Sequence, residues 1–261
     1  MASRKAQREE ARARRLAEEK ARQERERRQR RLRMIGGVVI VAVAVVVIAI
    51  AISSGGGHKG GLAKGATATK TVSQVQSLLS GIPQDGARLG NPNAPVTLTY
   101  YGDLQCPVCQ AFTLNGFKQL ISNDVRQGKV QVVYKALETA THDQQTFNLQ
   151  QVAALAAGQQ KRFWNYVGLF YHQQGEENSG YVNEAYLDSL AQQAGLNTNT
   201  WRSDRSSSSL TAQIPADANQ AASVGANATP TLVFKGPKGQ AQPISGDIPY
   251  GSLQQTIQSV S

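Results

Sequence analysis

The sequence predicts an α/β domain carried behind one membrane-spanning helix and a charged N-terminal helix. Three observations carry this. An apolar run from Val96 to Tyr101 passes into a helix-like segment after Pro107 and then into Val130–Gln131–Val132–Val133–Tyr134, a strand–helix–strand order. From about Thr139 to Val224 the apolar spacing is helical, before strands return at Thr231. Met34 to Ile52 is nineteen residues without a charge.

The chain begins with a polar tail. The whole sequence holds 28 basic and 18 acidic residues, a net of +10. Residues 1–33 alone carry 14 Lys/Arg against 6 Glu, a net of +8, so the remainder is only +2. The high isoelectric point therefore belongs to the tail, which argues against a nucleic-acid-binding surface on the folded domain. Glu10–Arg14, Glu18–Arg22, Glu24–Arg28 and Glu26–Arg30 are acid-before-base pairs four apart, each worth a few tenths of a kcal/mol to a solvated helix. With no apolar face to bury, the tail reads as a topology signal, ahead of binding to anionic lipid or RNA.

Residues 34–52, rich in Val, Ile and Ala, span ~28 Å as a helix, close to the ~30 Å of membrane hydrocarbon. Lipid satisfies no backbone group, so β-branched residues there are helical all the same. Ala49–Ile50–Ala51 resembles a signal-peptidase site, yet the apolar run exceeds the usual ~7–15-residue signal core, and an uncleaved anchor is expected. Arg27, Arg28, Arg30, Arg31 and Arg33 crowd the N-terminal flank, which puts residues 1–33 in the cytoplasm and everything after Ile52 outside it. Thiols there can be oxidised. Residues 53–86 form a linker: Ser53 to Thr71 is rich in Gly, Ser, Ala and Thr and reads as a flexible tether. A short amphipathic piece from Val72 to Leu79 can dock on the domain before Gly81, Pro83 and Gly86 break it.

Residues 87–261 form the folded domain. Pro95 to Tyr101 is its first main strand, ending at Asp103–Leu104–Gln105–Cys106–Pro107–Val108–Cys109. This motif contains both cysteines of the chain. A helix start offers unpaired N–H groups and a positive dipole end, so Cys106 should ionise readily. Pro107 fits the first helical turn. Cys109, one turn on, is placed to resolve a mixed disulfide. Three other readings compete with a redox dithiol. Zinc needs about four ligands, and only His58, His142 and His172 remain, in no paired spacing, so no metal is expected. A structural disulfide across so small a ring stabilises little. Two inert packed thiols fit poorly with Pro107 and the strand–helix placement.

The helix from Pro107 is expected to reach about Arg126, with Gly128 as its stop. Val130 to Tyr134 is apolar enough to be a central strand. Within 139–224, Phe147, Val152 and Leu155 mark one helix; Phe163, Val167 and Phe170 another; Leu187, Leu190, Ala191 and Ala194 a third, closed by Gly195. Trp201 to Ala222 is mostly helical but interrupted by Pro215. Trp164 and Tyr171 are expected in the core rather than in a substrate groove, and His142 and His172 at structural or surface positions. Thr231 to Phe234 is a strand, 235–239 a turn, Gln240 to Ile244 the partner strand and Tyr250 to Val260 a closing helix.

Gly90–Asn91–Pro92–Asn93–Ala94–Pro95–Val96, the Asp103–Cys109 motif and Ala228–Thr229–Pro230–Thr231–Leu232–Val233–Phe234 resemble, in order and spacing, the DsbA-like branch of the thioredoxin superfamily. The likeness is greatest to its membrane-anchored, single-domain bacterial forms. It implies a thioredoxin-like fold with a helical insertion at about 139–224, and an extracytoplasmic thiol–disulfide oxidoreductase that introduces disulfides into exported cysteine-containing proteins. It implies a cis Thr229–Pro230 bond facing the dithiol, with the backbone of Thr229 pairing with bound substrate. No cofactor is implied; reoxidation falls to a quinone-linked membrane partner of the DsbB or vitamin K epoxide reductase type. Two departures matter. Val108 offers neither charge nor hydrogen bond where the best-known oxidases carry His, and Tyr100 stands where many relatives carry a buried acid. Asp103 could cap the helix, but as an anion it would raise the cysteine pKa. A disulfide reductase or isomerase of the same fold, or a membrane-tethered binding protein with a non-catalytic dithiol, are the alternatives.

Overall fold

A computed structural model describes residue 62 and residues 65–261. The expected tail (1–33) and span (34–52) lie outside the described residues, as does most of the tether. Among the described residues no helix is long and apolar enough to cross a membrane.

The folded unit starts well before residue 87. Helix α1, Gly65–Leu79, buries Val75 and Leu79, so helix already occupies the last residues assigned to the tether. It packs against α5, Phe163–His172. Gly168 lets it come close: a Cβ there would meet Val75 Cγ1 at 3.1 Å. The α1 sequence is Ala- and Thr-rich, and its helix depends on this packing more than on its own propensity.

Short strands β1 (Gln84–Asp85) and β2 (Arg88–Leu89) lead to β3 (Val96–Gly102), whose alternating burial becomes continuous at Tyr100. Strand β4 (Val130–Ala136) pairs with β3 in parallel, Val96 beside Val130 through Gly102 beside Ala136. Strand β5 (Thr231–Gly236) pairs with the other edge of β3, antiparallel. The sheet runs β1–β2–β4–β3–β5–β6, with β6 at Gly239–Gln240 and β7 (Ile244–Ser245) also on β5. The single strand expected over 240–244 is split in two. Pro243 sits in the gap, where it has no N–H to give a ladder.

The helix after Cys106 is also broken. α2 (Pro107–Leu114) ends at Asn115, α3 (Gly116–Leu120) follows, and a π-helical turn spans Ile121–Val125. Packing causes the break: a Cβ on Gly116 would lie 2.2 Å from the Ile248 carbonyl oxygen, so this loop presses against the helix. Gly128 has φ +71° and stops the segment as expected.

The insertion comprises α4 (Gln144–Gln159), α5, α6 (Glu184–Gln193), α7 (Thr198–Asp204) and α8 (Ser208–Ser223). Asp143, Asn183 and Asn197 cap α4, α6 and α7 by accepting from Thr146, Tyr186 and Thr200 N–H. Pro215 lies inside α8 without ending it. It is on the exposed side, as is Thr211, whose carbonyl it leaves without a helical N–H partner. Lys135 Nζ reaches Asp217 Oδ1 at 2.7 Å and Ala136 N–H donates to Asp217 Oδ2 at 3.1 Å, which fastens α8 to the end of β4. Helix α9, Tyr250–Val260, packs on β5 and α3.

The core is aromatic beneath α2. Tyr100 meets Phe112 edge to face at 5.3 Å and Tyr134 at 5.5 Å, and Phe117 stacks near Trp164 at 5.1 Å. Trp164 and Tyr171 are core residues, as their spacing indicates, and His142 and His172 are exposed.

Candidate active site

Strand β3 ends at Gly102, and the turn that follows is tied to itself. Gln105 N–H donates to Asp103 Oδ1 at 3.1 Å and Cys106 N–H to the Asp103 carbonyl at 3.1 Å. Cys106 then takes the N-cap position of α2, with φ −68° and ψ 119°, and Pro107 opens the first turn. Cys109 N–H donates to Cys106 Sγ at 3.3 Å. The sulfur thus stands where the oxygen of Ser or Asp stands in an ordinary cap.

The two sulfurs differ sharply. Both are free thiols; Cys106 is 4% exposed and Cys109 fully buried. The hydrogen bond from the Cys109 thiol, aided by the Thr229 side chain and the Cys109 and Val108 N–H groups, outweighs burial and lowers the Cys106 pKa to about 7. Burial, then the neighbouring Cys106 sulfur and its charge, push Cys109 well above the ordinary thiol range. Of the two sulfurs Cys106 is thus the one that ionises more readily, and Cys109 the thiol that donates to it.

The second wall comes from the far end of the sequence. The Thr229–Pro230 peptide is cis, and Pro230 is buried. In its thiol form Cys106 Sγ–H donates to the Thr229 carbonyl at 3.3 Å. The expected pieces, Cys106, Cys109, Thr229 and Pro230, are thus brought together. Pro107 is exposed at the helix start. Val108 is half-buried against the core, so of the dipeptide only its backbone N–H acts on the sulfur.

Asp103 does not cap α2. Fully buried, its carboxylate accepts from the N–H groups of Gln105, Thr139, Ala140 and Thr141, from the Thr141 hydroxyl at 2.6 Å and from the Gln150 amide at 3.2 Å. It straps the loop after β4 to the cysteine turn. Gln174 Nε2 holds that turn from α5's end, at 2.7 Å from the Leu104 carbonyl and 3.2 Å from that of Cys106.

Beneath Cys109 lie phenols. Tyr100 Oη donates to the Cys109 carbonyl at 3.4 Å and is 3.1 Å from Thr113 Oγ1, while Tyr171 Oη donates to the Asp103 carbonyl at 3.2 Å. Burial above all raises the pKa of Tyr100, Tyr134 and Tyr171 well above that of an ordinary phenol. Neutral hydroxyls, in place of an acid, thus floor the site. Gly102 leaves room for them: a Cβ there would lie 2.7 Å from Tyr134 Cε2 and 3.1 Å from Tyr100 Cε2.

The family model described as thioredoxin matches residues 84–257. This chain belongs to the thioredoxin family. Among relatives, disulfide bond formation protein D of Bacillus subtilis is 22% identical over 169 residues, 62% of this chain and 73% of that protein. The crystal structure of oxidised BdbD from Bacillus subtilis matches with TM-score 0.58 and 20% identity, over 69% of this chain and 96% of that one. Alpha-DsbA1 of Wolbachia pipientis matches with TM-score 0.57 and 16% identity, over 70% of this chain and 92% of that one. The architecture is thus the thioredoxin-family fold in its DsbA-type form, with the helical insertion between β4 and β5.

Proposed function

We propose that this protein is an extracytoplasmic thiol–disulfide oxidoreductase that oxidises cysteine pairs in exported proteins. The observation that carries the reading is the unequal dithiol: Cys106 at a helix cap, lowered to about 7, beside a buried Cys109 that is raised, with the Thr229 carbonyl 3.3 Å from the reactive sulfur.

In the oxidising direction a client thiolate attacks Cys106 Sγ of the Cys106–Cys109 disulfide. A client–Cys106 bond forms, the intramolecular S–S bond breaks, and Cys109 leaves as a thiolate that takes up a proton. The client's second thiol, once deprotonated, attacks its own sulfur in the mixed disulfide and releases Cys106 as a thiolate. Two electrons pass from client to enzyme, and the low Cys106 pKa stabilises the product. The client backbone adds beside Thr229 as a short strand. Residues 34–52 anchor the chain with its N-terminus in the cytoplasm, and a quinone-linked membrane protein of the DsbB or vitamin K epoxide reductase type restores the disulfide. Val108 in place of a charged or hydrogen-bonding residue makes it a moderate oxidant.

Trapping tests the reading. In cells, Cys109→Ala should accumulate mixed disulfides at Cys106 that reductant dissolves; none would remove the catalytic role. Titration against glutathione sets the direction: a potential near ~−270 mV, that of thioredoxin, would overturn the oxidase.

A further inference from the structure

Thr139 lies on an exposed loop, 33 residues past Cys106, yet its hydroxyl hydrogen-bonds the Thr229 hydroxyl. The Thr229 carbonyl in turn accepts from Cys106 Sγ at 3.3 Å, and the Thr229 side chain favours the ionised form of both Cys106 and Cys109. The Thr139 backbone is not free to drift. Its own N–H and those of Ala140 and Thr141 all point at Asp103 Oδ2, at 3.2, 2.9 and 2.8 Å. The Thr141 hydroxyl and Gln150 bind Oδ1 of the same carboxylate. A buried anchor thus fixes the position of the Thr139 hydroxyl, and that hydroxyl touches the Thr229 side chain, whose residue also holds Cys106 Sγ through its carbonyl.

We propose that Thr139 is a positioning residue for Cys106: strapped down by Asp103, it holds the Thr229 hydroxyl so that its proton faces the reactive sulfur. A hydroxyl can donate one proton and accept others. With Cys106 as thiolate, the favourable chain is Thr139 O–H to Thr229 oxygen, and Thr229 O–H to sulfur. Each bond in such a row polarises the next, so the donor at the sulfur strengthens when Thr139 donates behind it. Without Thr139, the Thr229 hydroxyl can turn to water or to its surroundings, and the thiolate loses an aligned donor. This proposal deepens the thiol–disulfide reading and rests on it for its functional meaning. Its geometry concerns the reduced protein alone.

The test is a pair of variants with one physical readout. Thr139→Val keeps the shape of the side chain and removes the hydroxyl; Thr139→Ser keeps the hydroxyl. Because Thr139 is exposed, neither disturbs a core, and urea midpoints verify that both fold. The Cys106 pKa of each reduced protein is read from thiolate ultraviolet absorbance against pH. Thr139→Val should raise it by about half to one unit, the size of one hydrogen bond, and Thr139→Ser should restore the wild-type value. An unchanged pKa in the Val variant, or the same rise in both variants, overturns the role. The result is independent of whether the protein oxidises clients: oxidation of a dithiol peptide by wild type is measured separately, and its failure would remove the enzyme reading while leaving the titration interpretable.

Discussion

The pH dependence of reduced Cys106 is a direct measure of the site. A pKa of about 7, against the ordinary 9.0, leaves about half the sulfur as thiolate at pH 7 rather than about one per cent. Nucleophilicity falls as pKa falls, with a Brønsted slope of ~0.4–0.5, so two units take back roughly six- to tenfold of a ~50-fold gain. Net alkylation at pH 7 should exceed that of an ordinary thiol of equal access by about five- to eightfold, with a midpoint near 7. The same shift is a stability term. A lowered pKa contributes stability that is full above the unfolded value and is lost as pH falls through the folded one. For Cys106 the term grows as pH rises from 7 to 8, so the reduced fold should gain on the order of 1 kcal/mol across that unit. Cys109, raised by burial, opposes this only as pH nears the ordinary thiol value and above. Urea unfolding of the reduced wild type minus Cys106→Ser isolates the increment. Rates of iodoacetamide capture, with the site located by mass spectrometry, give the midpoint. A difference flat between pH 7 and 8, a midpoint at the ordinary value, or capture of Cys109 first would refute the assignment of the thiolate to Cys106.

Cys109→Ala removes the largest cause of the low Cys106 pKa, so the alkylation midpoint should move to higher pH; an unmoved midpoint would mean that the helix end and Thr229 suffice. Gly102→Ala drives a methyl group onto two buried, interlocked rings and should cost about 1–3 kcal/mol in urea unfolding; a loss under about half a kcal/mol would show that Tyr134 and Tyr100 have room to move. Asp103→Asn turns an NH₂ group against protein donors whichever way the amide faces, since each carboxylate oxygen accepts three. It should destabilise the fold by about 2–4 kcal/mol, and a neutral effect would show that the strap is dispensable.

Much of the fold was legible because its signals are local. Continuous apolar runs mark β3 and β4, positive-φ glycines at 128 and 195 stop the helical segments, and α9 has the expected bounds. The failures have distant causes. The break at Asn115 arises from the carbonyl of Ile248, far along the chain, and nothing near Asn115 announces it. Helix α1 is weak in apolar residues and gains its order from Val75 seated on Gly168. The split between β6 and β7 is different, since Pro243 was visible and a proline within a strand should have divided it.

In the site, the residues that sequence reasoning found are those whose chemistry is written beside them: two cysteines, a proline at a helix start, a threonine before a proline. Asp103 was misread because an aspartate just ahead of a helix ordinarily caps it. The structure explains why it does not. Cys106, three residues on, holds the N-cap position itself, and its sulfur accepts from Cys109 N–H at 3.3 Å. The sulfur thus takes the capping role, and the carboxylate is left to collect donors from residues 105, 139–141 and 150. Tyr134 and Tyr171 escaped for the converse reason. Their rings are core, as the spacing indicates, but their hydroxyls sit in a polar seam that spacing does not encode. With Tyr100 a buried phenol held neutral, no carboxylate from its position adds negative charge beside Cys109. The thiolate at Cys106 is then governed by the helix end, Cys109 and Thr229, which makes the hydroxyl behind Thr229 consequential.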